Sequence, residues 1–463
     1  MKFNKRKKTS TFNIGIIAGQ KTKAAGKYTP EDLLRRITMA NLLWESTYYQ
    51  NADMIMSQME ALIPKVKPQM LADLAVETRF EQKLRHTPIY LALMLFKYHG
   101  GSLVADVLAK ICTRPDMTID TLAMLPHVLG REKIKPIPNA IKRGLAKAFD
   151  RYDAYQIAKY KRNNHSISLI DVVNLVHPVP TQKNAKALQD LVDGTLAAPD
   201  TWESKLSAGK DKTTTFTRLI NEGKLGALAT LRNLRGMQEA GVSRKVMLKA
   251  IQAVNSKWLT PLNFLAAQRN APAFTKALED AMARSFANYT IKGTTILAID
   301  VSGSMGSLTS ANSEFSRLDL AFALATVAGY IFEDVILVFT AGDDTHCRGA
   351  HITWNNTRGF SVFEDYKRIA PHVGYGGIFT HQLCEWLKEE GHAKDADRLV
   401  VLSDSQDIDM ARGKKVVPDT SPYKNSYIID ISTHTHGIKT SNWTAEINGW
   451  SDKLFHYIAE LEK

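Results

Sequence analysis

The stretch Thr294–Met305, TTILAIDVSGSM, marks where the chain changes character. Upstream of it apolar residues recur at helical spacing over some 260 residues, and downstream short aliphatic runs alternate with helical segments. Within it, strand-forming residues run straight into Asp300-x-Ser302-x-Ser304. Positions i, i+2 and i+4 of an extended run share one face, so one carboxylate and two hydroxyls can converge where a buried strand ends. Oxygens of this kind suit a hard divalent cation such as Mg2+, which retains waters and an open position for an incoming ligand.

Arg398–Ser403 (RLVVLS) is a second apolar strand that delivers a carboxylate at its end, Asp404. Between the two strands, Gly374–Thr380 (GYGGIFT) is a Gly-rich loop opening a helix, with Thr380 as its hydroxyl. In open α/β sheets ligands bind beyond the carboxyl ends of the strands, where strand order reverses. Asp300, Ser302, Ser304, Thr380 and Asp404 are therefore the expected metal ligands. Asp and Ser after a strand are also ordinary turn and cap residues, and it is the ordered appearance of all three segments that favours the metal reading. The pattern resembles the metal-ion-dependent adhesion site of von Willebrand factor A domains. In that family the Thr directly follows a Gly-Gly pair, whereas here Ile378 and Phe379 intervene.

Charge divides at the same place. Residues 293–463 carry 15 Lys and Arg against 23 Asp and Glu, a net of −8, while residues 1–292 carry 45 against 24, a net of +21. A basic first part joined to an acidic second part points to a polyanionic partner for the first part only. Residues 1–27 hold eight Lys and Arg and no acid, and read as a basic N-terminal arm. From Thr29-Pro30-Glu31-Asp32, a strong helix start, helical segments follow one another from 30–46 through 271–287 without strands between them, which suggests stacked helical hairpins. After residue 293, strands Thr294–Ile299, Asp334–Phe339, His351–Trp354, Arg398–Leu402 and Ser426–Ile431 alternate with helices, which argues a mainly parallel, doubly wound sheet. The expected domains are thus a 1–27 arm, a 28–292 helical domain and a 293–463 α/β domain.

Three stretches of the helical part resemble the TROVE module: Ala148–Pro180 (AFDRYDAYQIAKYKRNNHSISLIDVVNLVHPVP), Phe216–Gly241 and Trp258–Ala267 (WLTPLNFLAA). Order and spacing agree from about residue 30 to 290, and a von Willebrand A domain follows in that family too. The resemblance implies a monomeric ring of HEAT-like helical repeats that binds small noncoding Y-type RNA on its outside and single-stranded ends of misfolded RNA through its centre. In bacterial relatives an exoribonuclease joins the complex.

The residues fit such a role. Lys159, Lys161 and Arg162 set three cations close together, followed by Asn163, Asn164 and His165, and His177 closes the next helix. Cations beside polar side chains suit phosphate and shape recognition of structured RNA. The resemblance implies Lys159, Arg162 and His177 as the Y-RNA contacts, although this chain carries one extra residue between the basic run and Asp171. Arg232 and Arg235 are further candidates, with pairing to Glu222 or Glu239 as the competing role.

Cys112, Cys347 and Cys384 are far apart and are expected as buried small hydrophobes, with no disulfide framework. His434 and His436 in THTHG lack a third soft ligand nearby and do not make a zinc site. No apolar run is long enough to span a membrane, and the short apolar patch in the basic arm falls short of a secretion signal, so a cytoplasmic location is expected. No P-loop, nucleophile elbow or clamp of several carboxylates at one phosphate site is present, so no enzyme activity is expected. The function expected is an RNA-binding ribonucleoprotein scaffold in RNA quality control. The alternative is a metal-dependent protein adhesion module with a protein-binding helical solenoid.

Overall fold

The computed structural model describes residues 29–40, 49–161, 167–255, 258–287, 289–308, 314–354, 359–390, 395–411, 414–416, 418, 422–431, 443–448, 450 and 453–462. The N-terminal arm, Trp44, Tyr48, Arg162 to His165, His434 and His436 lie outside these residues. The chain forms two compact units, one spanning 290–450 and one spanning 28–289 together with 451–461.

The larger unit is helical. Its first half contains α1 (Pro30–Ala40), α2 (Tyr49–Leu62), α3 (Pro68–Phe80), α4 (Thr87–His99), α5 (Val104–Ile111), α6 (Pro115–Val128), α7 (Asn139–Ala148), α8 (Ala154–Lys159) and α9 (Leu169–Val176). The second half contains α10 (Ala185–Val192), α11 (Trp202–Ser207), α12 (Lys212–Asn221), α13 (Ala227–Glu239), α14 (Arg244–Gln252), α15 (Pro261–Asn270) and α16 (Thr275–Phe286). Proline stands in the first turn of α3, α4, α6 and α15, where its missing N–H costs nothing. Asp153 with Gln156 and Ser168 with Asp171 form reciprocal caps that start α8 and α9.

Packing is between alternate helices. α3, α5, α7 and α9 pack in succession, α4 packs on α6, and α12, α14 and α16 form a second row beside α13 and α15. That is the arrangement of stacked helical hairpins, each burying its neighbour's apolar face. α4 (TPIYLALMLFKYH) is apolar nearly all round, and Thr87 to Leu95 are buried accordingly. At Gly144 a Cβ would lie 2.8 Å from the Ala105 carbonyl oxygen, so only glycine lets α7 approach α5 this closely. The C-terminal helix, α20 (Leu454–Leu461), packs on α1, and His456 stacks on Tyr289 with ring centroids 3.6 Å apart.

The smaller unit is built on β1 (Ile291–Asp300), β2 (Phe332–Asp343), β3 (Arg348–Trp354), β4 (Arg398–Ser403), β7 (Asn425–Asp430) and β8 (Ala445–Asn448), with a separate hairpin of β5 (Met410–Ala411) and β6 (Lys414–Lys415). Strand order is β3-β2-β1-β4-β7-β8, all neighbours parallel except the antiparallel edge pair β2 and β3. β8 and the small hairpin carry no run of their own in the sequence long enough to be expected.

Among the described residues three helices cover the sheet: α17 (Arg317–Ile331), α18 (Ser361–Val373) and α19 (Thr380–Glu389). Ile296, Ala298 and Val338 form one core with Leu383 and Leu387 of α19. The next residue of β2 points the opposite way, and there Phe339 meets Phe322 of α17, which in turn packs at a tilt against Phe363 and Tyr366 of α18. Helices therefore lie on both faces, as the continuous apolar strands require. Among the described residues no helix is long and apolar enough to cross a membrane.

Cys112 and Cys384 are buried, but Cys347 is exposed, contrary to the expectation for all three. It sits with φ +48° beyond the end of β2, in the tight turn to β3, where no core is within reach.

Candidate functional site

β1 and β4 lie side by side, with Ile299 opposite Leu402, and the chain leaves β1 toward β2 on one side and reaches β4 on the other. Strand order reverses between them, so their carboxyl ends form the crevice that this topology offers to a ligand. Asp300 ends β1 there and is fully buried. It accepts hydrogen bonds from the Ser302 backbone N–H at 2.8 Å and from the Ser403 hydroxyl at 2.7 Å. Burial pushes its carboxyl up to about 7, against the opposing pull of these hydrogen bonds. The Ser302 and Ser304 hydroxyls are 3.1 Å apart. Gly303 N–H donates to the Tyr375 carbonyl at 2.9 Å, and a Cβ there would also lie 2.9 Å from that oxygen, so the Gly-rich loop closes directly over the D-x-S-x-S turn.

Asp404 follows β4 and its side chain is wholly buried, yet it is not free. Arg317, the first residue of α17, holds its Oδ2 at 2.5 Å, and the same Nη1 lies 3.4 Å from the Ser304 carbonyl. Thr380 opens α19. Its backbone N–H donates to Asp407 Oδ2 at 3.2 Å, and its fully buried hydroxyl faces the same carboxylate without a well-formed hydrogen bond among the described residues. Asp407 and Asp409 together cap α19, Asp409 taking the Gln382 N–H at 2.9 Å and its amide at 3.0 Å. Burial raises the Asp407 carboxyl.

Asp300, Ser302, Ser304 and Asp404 are thus linked through Ser403 and Arg317, while Thr380 is tied to the Asp407 cap. Among the described residues no three of His, Cys, Asp and Glu are grouped to share an ion. The donors are instead mostly hydroxyls. The Asp300 carboxylate with the paired Ser302 and Ser304 hydroxyls is the kind of donor set that would suit a hard cation of the Mg2+ kind, while among the described residues no contact brings Thr380 to it.

In the helical unit, Lys159 ends α8 exposed, its ammonium 5.7 Å from the centroid of the Tyr155 ring, itself 42% exposed. Lys161 turns inward, donating to the Leu196 carbonyl at 2.7 Å. His177 is exposed and takes the left-handed conformation, φ +51°, that ends α9. α8 and α9 both pack on α10. Arg232 and Arg235 are exposed on α13, and Arg235 reaches Asn270 at 3.1 Å and Glu239 at 3.5 Å.

The model of the TROVE domain matches residues 20–195 and 192–313. The chain belongs to the TROVE-domain family. A comparison with curated protein sequences gives no match. Among solved structures, this TROVE protein is similar to the Ro (Rsr) protein of Deinococcus radiodurans, with 16% sequence identity, 94% of this chain and 99% of that chain covered, and a TM-score of 0.64. At that identity the likeness is one of fold, and it extends over both units of the TROVE protein.

Sequence reasoning did not single out Arg317, Ser403, Asp407 or Asp409. Ser403 sits in the quoted RLVVLS run, and its alternation from Asp404 was the available signal. Arg317 lies 87 positions from its partner and gave none.

Proposed function

We propose that this TROVE protein is an RNA-binding scaffold. Its helical unit takes small noncoding Y-type RNA and the ends of misfolded or defective structured RNA, in cytoplasmic RNA quality control. The observation that carries the reading is the confinement of the positive charge: a net of +21 falls in residues 1–292, against −8 in the remainder. The 1–27 arm supplies +8 of that charge, and on the helical unit Lys159, His177 and Arg232 are exposed, at helix ends and on a helix face where a phosphate backbone can approach.

The α/β unit recruits a protein, for which an exoribonuclease is one class. A divalent cation at Asp300, Ser302 and Ser304 would supply a Lewis-acidic position completed by the partner's carboxylate. Binding rather than catalysis is the reading, because the carboxylates of this crevice are already engaged: Asp300 by Ser302 and Ser403, Asp404 by Arg317, and Asp407 and Asp409 by α19.

Sequencing the RNA that copurifies with the full chain tests the proposal. Enrichment of small structured noncoding RNA is expected. Protein free of nucleic acid, with a 260 to 280 nm absorbance ratio typical of protein alone, would leave the helical unit as a protein-binding solenoid.

A further inference from the structure

Arg317 stands at the start of α17, where the helix dipole disfavours a cation. Its side chain is nevertheless only 11% exposed, and it is directed at a carboxylate with no exposure at all. Among the described residues the other oxygen of Asp404 receives the Gln406 N–H, at 3.4 Å, and nothing else. A carboxylate removed from water this completely needs a full counter-charge, and the guanidinium supplies it. Arg317 Nη1 also approaches the carbonyl of Ser304, so one resident cation already touches two of the five residues expected to surround a metal. Ile378, directly after the Gly-Gly pair, is fully buried and brings no oxygen to the site.

We propose that Arg317 is a built-in counter-ion that competes with a divalent cation for Asp404. The inference rests on the metal reading given above and adds a residue that governs it. With the guanidinium in place Asp404 is neutralised, and a divalent ion at Asp300 and Ser304 would meet a positive charge at short range. The ion engages Asp404 only when Arg317 withdraws. The crevice therefore has two arrangements, one closed by arginine and one occupied by metal, and the arginine sets the cation concentration at which the second takes over. Asp300, which accepts from Ser302 and Ser403, is the primary anchor of the metal-occupied arrangement.

The test is calorimetric titration of chelator-treated full-length protein with Mn2+ and with Mg2+. Wild type is compared with Arg317→Gln, Asp300→Asn, Asp404→Asn and the double variant Arg317→Gln/Asp404→Asn. Arg317→Gln is expected to bind Mn2+ about tenfold or more tightly than wild type. That gain should vanish in the Asp404→Asn background, and Asp300→Asn should abolish binding. Equal affinity in wild type and Arg317→Gln, with binding still lost in Asp300→Asn, overturns the competition while leaving the metal reading intact. No binding by any protein overturns both.

Should Arg317→Gln fail to fold, wild-type protein serves. The Arg317 side-chain N–H signals, assigned by their loss in Arg317→Lys, are expected to shift and exchange faster on adding Mg2+. Signals unmoved at saturating Mg2+ overturn the proposal.

Discussion

Arg79 and Trp258 meet face to face: the guanidinium carbon lies 4.4 Å from the centroid of the indole ring. Arg79 is buried on α3, where it also donates to Thr113 Oγ1 and to the Leu84 carbonyl, while Trp258 follows α14. The contact joins an early helix of the helical unit to the turn between α14 and α15. The neighbour-to-neighbour packing of α3 through α9 does not supply such a link.

Trp258→Ala should therefore lower the stability of the helical unit by about 2 kcal/mol, the range of a partly desolvated cation–π contact with lost packing. Trp258→Phe should recover part of it. Chemical denaturation reads both, and an unchanged midpoint in Trp258→Ala would mean that the contact contributes nothing.

His351 carries a pH dependence. Burial lowers its imidazole to about 4, with nearby Asp409 opposing, and its Nδ1 lies 2.9 Å from Thr340 Oγ1. Below an unfolded value near 6.5 the unfolded chain takes up the proton first, so stability falls as pH drops from about 6.5 to 4 and is whole above that window. His351→Gln should flatten this slope relative to wild type in melts across pH 4 to 7. Parallel slopes for the two proteins would remove His351 as the cause.

Arg398 and Glu462 form a second buried ion pair at 2.7 Å, with side chains 4% and 15% exposed. Arg398 also bonds Thr295 Oγ1 and the Lys292 carbonyl. Glu462→Gln leaves the guanidinium buried without its counter-charge and should cost about 3 kcal/mol. Urea denaturation measures it, and a loss under about 0.5 kcal/mol would place the pair with ordinary surface bridges.

Thr380 offers the opposite sign. Its buried hydroxyl makes no well-formed hydrogen bond among the described residues, so Thr380→Val should leave metal-free stability unchanged or raise it by about 1 kcal/mol. If the hydroxyl serves a cation, the same variant loses the stabilisation that added Mg2+ gives the wild type. A marked drop in metal-free stability would show the hydroxyl to be structurally bonded.

The fold was legible because its signals are local. α3 and α4 can be placed to the residue from proline at their starts and an apolar face, and the strand β1 from TTILAID. Within the site, Asp300, Ser302 and Ser304 come together differently from the extended run expected: β1 ends at Asp300, Ser302 starts a 3-10 turn over Gly303–Gly306 and Ser304 lies within it, so nearness along the chain brings them together. The pairing of Asp404 with Arg317 crosses 87 positions, and the capping of α19 by Asp407 and Asp409 crosses 27, so neither leaves a pattern in the sequence. Lys161 illustrates the same limit. Its place in a basic run says phosphate ligand, but its ammonium donates to the Leu196 carbonyl, 35 residues away.

That difference between two neighbouring lysines bears on the central claim. Lys159 is exposed beside the Tyr155 ring, where it can meet phosphate, whereas Lys161 secures the chain around Leu196. The most direct measurement is RNA affinity of wild type, Lys159→Ala and Lys161→Ala against salt concentration, using RNA that copurifies with the protein, together with a thermal melt of each. The account predicts a steep loss of wild-type affinity with salt, a slope shallower by about one in Lys159→Ala at unchanged melting temperature, and a lowered melting temperature in Lys161→Ala. Affinity independent of salt, with Lys159→Ala indistinguishable from wild type, would contradict it.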